Sequence, residues 1–118
     1  MSYGPYSPHR QAGNIYFISG QVGINPDTKA AAKDIKRQTA QALENLNEVL
    51  VKNGLGMAQV VKTTIFLKDM ADFDDMNSVY STYFSDPRPA RSCVEVAGLP
   101  QLADNELLIE IEATAYIL

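Results

Sequence analysis

Between Asp34 and Asn53 the apolar residues Ile35, Ala42, Leu43, Leu46, Val49 and Leu50 recur at helical spacing, while Lys36, Arg37, Gln41, Glu44 and Glu48 mostly occupy the other side. A chain with this stripe is committed to one long amphipathic helix that must bury a single face. Asp34 can cap its start, and Gly54 stands where a left-handed residue closes a helix.

The flanking sequence says what that face meets. Val60 to Leu67 reads Val-Val-Lys-Thr-Thr-Ile-Phe-Leu, too rich in β-branched residues for a helix, and predicts a central strand. A second helix is expected from Asp72 to Phe84, with an Asp capping its start and Asp86-Pro87-Arg88-Pro89 ending it. Phe73, Met76, Val79, Tyr80, Tyr83 and Phe84 share one side of it as core.

Upstream, Ala12-Gly13-Asn14 supplies turn residues ahead of the run from Ile15 to Ser19, which implies a hairpin with a weak first strand. Gly20 to Lys29 contains Gly23, Asn25-Pro26 and Asp27 and reads as a loop. Arg91 to Val96 and Leu107 to Ile117 are two further strands, joined through Gly98-Leu99-Pro100 and a polar loop around Ala103-Asp104-Asn105. The order ββαβαββ makes an α+β sandwich whose two helices cover one sheet face, leaving the other in need of a partner.

With 118 residues, 46% of them hydrophobic, and no composition shift or internal repeat, residues 1–118 are expected to form a single domain. A domain this short gains stability from self-association. The formal charge of −4 leaves no cationic excess for nucleic acid or an anionic membrane surface. No run of about eighteen apolar residues suggests a spanning helix. The single cysteine, and a start Met1-Ser2-Tyr3-Gly4-Pro5-Tyr6 without signal-peptide character, favour a cytoplasmic setting.

Strand periodicity groups Arg91, Cys93 and Glu95 on one face and Ser92, Val94 and Val96 on the other, the second set reading as core. On the last strand Leu107, Ile109, Ile111, Ala113 and Ala115 separate from Leu108, Glu110, Glu112 and Thr114. An arginine fork binds carboxylates bidentately, and a nearby glutamate can hold or deprotonate water, so a small organic acid is a natural ligand. Bland readings compete: Arg91 as an ion pair with Glu95 or Glu110, Cys93 as a small buried hydrophobe, and Glu110 with Glu112 as a solvated strand face or interface pair. His9 reads as an exposed loop residue. Phosphate-binding glycine loops, zinc motifs, paired Cys-x-x-Cys and a Gly-x-Ser-x-Gly elbow are all absent, so neither metal nor nucleotide chemistry is supported.

The segment Pro89-Ala90-Arg91-Ser92-Cys93-Val94-Glu95-Val96, followed by Leu99-Pro100, resembles the signature stretch of the RidA/YjgF (reactive intermediate deaminase) family. Gly4-Pro5-Tyr6-Ser7, Ser19-Gly20-Gln21, Val61-Lys62-Thr63-Thr64 with Asp72-Phe73 and Asn77, and Ile109-Glu110-Ile111-Glu112-Ala113 agree in order, covering nearly the whole chain. The connection from Phe84 to Pro89 is shorter than in many relatives, and that from Gln101 to Leu107 longer.

The resemblance implies a chorismate-mutase-like fold, a mixed sheet backed by two helices, with three subunits packing their sheets into a barrel. It implies hydrolysis of 2-imino and enamino acids, such as the 2-iminobutanoate and 2-iminopropanoate released by pyridoxal-phosphate dehydratases, to 2-keto acids and ammonia. No cofactor or metal is implied. By matched positions Arg91 would bind the substrate carboxylate and Glu110 would hold or activate water. Cys93 would act through its backbone near the imine nitrogen, and Tyr6, Ser19 and Asn77 would line a cleft between subunits. One rival reading is a non-catalytic regulatory module that captures 2-keto acids at the same arginine. Another is a translation inhibitor that cleaves RNA, which the acidic balance opposes.

Overall fold

The computed structural model describes residues 4–100, 102 and 104–118. Met1, Ser2 and Tyr3 of the N-terminal reading, and Gln101 and Ala103 of the loop before the last strand, lie outside the described residues. In chain order the elements are β1 (His9–Ala12), β2 (Ile15–Val22), α1 (Ile35–Lys52), β3 (Val60–Leu67), α2 (Phe73–Tyr80), β4 (Ala90–Glu95) and β5 (Ile109–Tyr116). The expected ββαβαββ order is present.

The Asp34 carboxylate accepts the Arg37 N–H at 2.8 Å, and Gly54 takes φ +74° just past the end of α1. Ala42, Leu43, Leu46 and Leu50 are fully buried, against a core that includes Ile65, Ile109 and Ile111. Each such Leu or Ile contributes about 1.5–3 kcal/mol by leaving water, which is why the stripe fixes the helix against the sheet.

The strands form one sheet in the order β1-β2-β5-β3-β4. All neighbours are antiparallel except β3 and β4, which run parallel through the α2 crossover, so the sheet is mixed. Alternation along β5 buries Ile109, Ile111, Ala113 and Ala115 beneath the helices and turns Glu110, Glu112 and Thr114 to the other face. Phe17 and Val94 stand on that second face, 50% and 41% exposed.

Several expectations need correction. β2 continues through Gly20 to Val22, so the predicted loop starts later; the strand accommodates Ser19 and Gly20 by a register irregularity between Ile18 and Gln21. The second helix is shorter than Asp72–Phe84, because from Ser81 on the backbone tightens: the Thr82 and Tyr83 N–H groups reach back only three residues. Asp72 makes no side-chain cap; Asp69 instead accepts the Ala71 N–H at 2.9 Å and opens a short 3-10 turn before α2. The last strand begins at Ile109, since the Leu108 N–H is taken by the Gln38 side chain. His9 belongs to β1, half-buried and stacked on Tyr16 at 6.1 Å between ring centroids, not an exposed loop residue.

The face assignment of β4 is inverted. Ser92 and Val94 are exposed, and Val96 lies half-buried beyond the strand end, so this set is not core. The cause is the parallel pairing, which sets Arg91 beside the buried Thr63 and Cys93 beside the buried Ile65.

Candidate functional site

Parallel pairing with β3 turns Arg91 and Cys93 toward α2, where Phe73, Asn77 and Tyr80 form a stripe at i, i+4 and i+7. The Arg91 Nη1 donates to Asn77 Oδ1 at 2.6 Å, and its guanidinium carbon lies 4.9 Å from the Tyr80 ring centroid and 5.5 Å from that of Phe73. Among the described residues no carboxylate forms an ion pair with this half-buried arginine. The Glu95 carboxylate, one of its expected partners, accepts the Met70 N–H at 2.7 Å instead. Asn and aromatic faces thus hold a permanent charge without neutralising it. Cys93 is half-buried and packs on the core; burial raises its thiol pKa, only partly offset by Arg91, so it is a neutral thiol and not an activated nucleophile.

A second polar cluster forms where β2 meets β5. Glu110 is paired with Phe66 on β3 and Val22 on β2, and its carboxylate lies over Gly20 so closely that a Cβ there would collide with it. A side chain at this bulge would push the Glu110 carboxylate aside, so glycine here lets the carboxylate keep its position. Burial, aided by the neighbouring Glu112, raises the Glu110 pKa. Tyr6, Ser19, Gly20, Glu110, Glu112 and Pro100 line one cavity of about 640 Å³. Ser19 Oγ donates to the Ser7 carbonyl at 2.6 Å, fastening the N-terminal segment to this wall.

The residues singled out in the sequence thus fall into two groups. Tyr6, Ser19 and Glu110 come together in the cavity; Arg91, Asn77 and Cys93 come together under α2. The two groups leave opposite faces of the sheet, so one copy of the chain does not bring Arg91 to Glu110, and the ion pair between them does not form. Asn77 holds Arg91 and takes no part in the Glu110 cavity. Phe73 and Tyr80 are contributors that the sequence reading treated as core; their spacing from Asn77 was the signal available. Among the described residues no group of three or more His, Cys, Asp or Glu is placed to hold a metal ion, and no helix is long and apolar enough to cross a membrane.

A five-stranded mixed sheet backed by two helices, with Glu110 on one face of its central strand and Arg91 on the other face of an edge strand, defines a small α+β protein with a solute-sized site. The family model described as Endoribonuclease L-PSP matches residues 1–117. A RutC family protein of Pyrococcus horikoshii is 50% identical over 114 residues, covering 96% of this chain and 87% of that protein. The 2-iminobutanoate/2-iminopropanoate deaminase of Salmonella typhimurium is 42% identical over 115 residues, covering 95% and 87%. A solved structure of TdcF from Escherichia coli with bound serine matches with a TM-score of 0.90 at 36% identity, covering 99% of this chain and 91% of that one. The chain belongs to the RidA/YjgF family.

Proposed function

We propose that this protein is a cytosolic 2-iminobutanoate/2-iminopropanoate deaminase whose sites form between copies in a homotrimer of chorismate-mutase-like subunits. The observation that carries the reading is the Arg91 guanidinium, fixed on one side by Asn77 and two aromatic rings and unpaired with any carboxylate among the described residues. A half-buried cation of this kind is completed by a small organic acid.

Arg91 of one copy holds the carboxylate, and Glu110 of the next holds water against the neighbouring C=N bond. Water adds to the protonated imine carbon and passes its proton to Glu110. Glu110 returns that proton to nitrogen, then takes the hydroxyl proton as the C–N bond breaks and the C=O bond forms, and passes it to the departing ammonia, which leaves as ammonium beside a 2-keto acid. An iminium carbon is already electrophilic, so positioning and modest base assistance are enough. Burial and the neighbouring Glu112 raise the Glu110 pKa, which makes its carboxylate a stronger proton acceptor than an ordinary one. The Cys93 backbone lies at the imine nitrogen, and Tyr6, Ser19 and Asn77 line the cleft between copies.

The name of the Salmonella relative supports this chemistry. The test couples the purified protein to a threonine dehydratase and follows the imine. Accelerated decay that disappears in Arg91→Ala and Glu110→Gln is expected; decay indifferent to both variants would overturn the reading.

A second reading, carboxylate capture without turnover, is favoured by the serine bound in the TdcF structure, since serine has a carboxylate and no imine. Glu110→Gln separates the two, because only an enzyme has activity to lose there. RNA cleavage, which the family model's description raises, finds little support in a chain of net charge −4 with a pI near 4.8.

A further inference from the structure

Arg91 is aimed by something other than its own strand. Tyr80 is 5% exposed, and its Oη lies 2.8 Å from the Oγ1 of Thr63, itself fully buried. Thr63 is also the ladder partner of Arg91 on β3. The hydroxyl that holds the ring and the arginine that lies on it therefore leave the sheet side by side. Phe84 backs the same ring, centroid to centroid at 4.8 Å. Tilting Tyr80 away would leave two buried oxygens without partners, so the ring is held as a fixed platform.

We propose that Tyr80, anchored by Thr63, is a positioning residue that keeps the Arg91 guanidinium oriented for a ligand carboxylate and so sets the preference for acids over their amides. The inference rests on the reading of Arg91 as the carboxylate anchor. An acidic support would hold the arginine more strongly but would take up the charge that the ligand is to meet. A ring face attracts the cation through its quadrupole and leaves open the in-plane N–H donors that Asn77 does not take. Burial raises the Tyr80 phenol against the opposing pull of Thr63 and Arg91, so the platform stays neutral.

The experiment measures binding of 2-oxobutanoate and 2-oxobutanamide to the native oligomer by calorimetry, with imine turnover in parallel. Tyr80→Phe and Thr63→Val should each weaken 2-oxobutanoate about fivefold, the worth of one buried hydrogen bond. The double variant should be no weaker than either single, because both remove the same bond. Tyr80→Leu should weaken it about tenfold or more and raise KM more than it lowers kcat. Amide binding should hold in all of them. Side-chain nitrogen NMR of Arg91 should show hindered guanidinium rotation in the wild type and faster rotation in Thr63→Val.

Unchanged affinity in both single variants, additive losses in the double, or equal loss of acid and amide would overturn the proposal. Should Tyr80→Leu not fold, the Tyr80→Phe and Thr63→Val cycle decides. Should the wild type bind no 2-oxobutanoate and turn over no imine, the carboxylate reading itself fails. The NMR comparison then settles the positioning role alone, rotation unaffected by Thr63→Val refuting it.

Discussion

Asn77 and Glu110 show how single side chains tune the chemistry of their neighbours. Asn77 grips Arg91 with a neutral oxygen at 2.6 Å. Asn77→Asp puts a carboxylate in that place, and an internal ion pair then competes with any acidic ligand. We expect KM for the imine to rise at least about tenfold while the fold survives, checked by steady-state kinetics beside thermal melts. Glu110 offers a test by pH. Its folded pKa lies above the ordinary 4.5, so the folded protein binds this proton more tightly than the unfolded chain does. The stability it contributes is fully present below the ordinary value and is lost as pH rises through the raised one. Glu110→Gln, which cannot titrate, should therefore gain on the wild type in melting temperature as pH climbs from 4 toward neutrality. A constant difference would contradict the assignment.

At the scale of elements, α1 does more than fill the core. Gln38, 1% exposed, donates to the Ala32 and Glu106 carbonyls at 3.0 and 2.7 Å and accepts the Leu108 N–H at 2.8 Å. Asn45 donates to the Val22 and Ile24 carbonyls, both at 2.9 Å. The helix thus pins the end of β2 and the start of β5, the two strands that set Gly20 against Glu110. Gln38→Leu strands three backbone groups and should cost about 2–4 kcal/mol in urea unfolding.

The limits of α1 were legible because its caps and long period agree, whereas α2 read too long because Tyr83 and Phe84 keep the periodicity after the backbone has tightened. Gly20 reads as a loop residue in any local window; only Glu110, ninety residues on, reveals why it is needed inside a strand. The face of β4 was illegible because alternation gives two sets of side chains and no sign, and the sign comes from pairing with β3. Arg91 and Glu110 stand out by strand alternation and the chemistry of a carboxylate site, Asn77 comes only from the family pattern, and Tyr80 is hidden by its second role as core.

For the whole molecule, the sheet face bearing Phe17, Phe66 and Val94 is left largely uncovered by the described residues of one chain. Light scattering should give about three times the 13.0 kDa chain mass, and Val94→Asp, which places a charge on that face, should shift the protein toward monomer with loss of turnover. A dilute monomer that keeps full activity would refute the shared site.

Arg91 and Glu110 point away from each other through the same sheet, and this has a genetic consequence. In the proposed shared site, a copy damaged at one residue still lends the intact other to its neighbour. Arg91→Ala and Glu110→Gln, each dead alone, should complement when unfolded together and reassembled at equal amounts. In a head-to-tail ring about a quarter of the junctions then pair a sound arginine with a sound glutamate, and about a quarter of wild-type turnover should return.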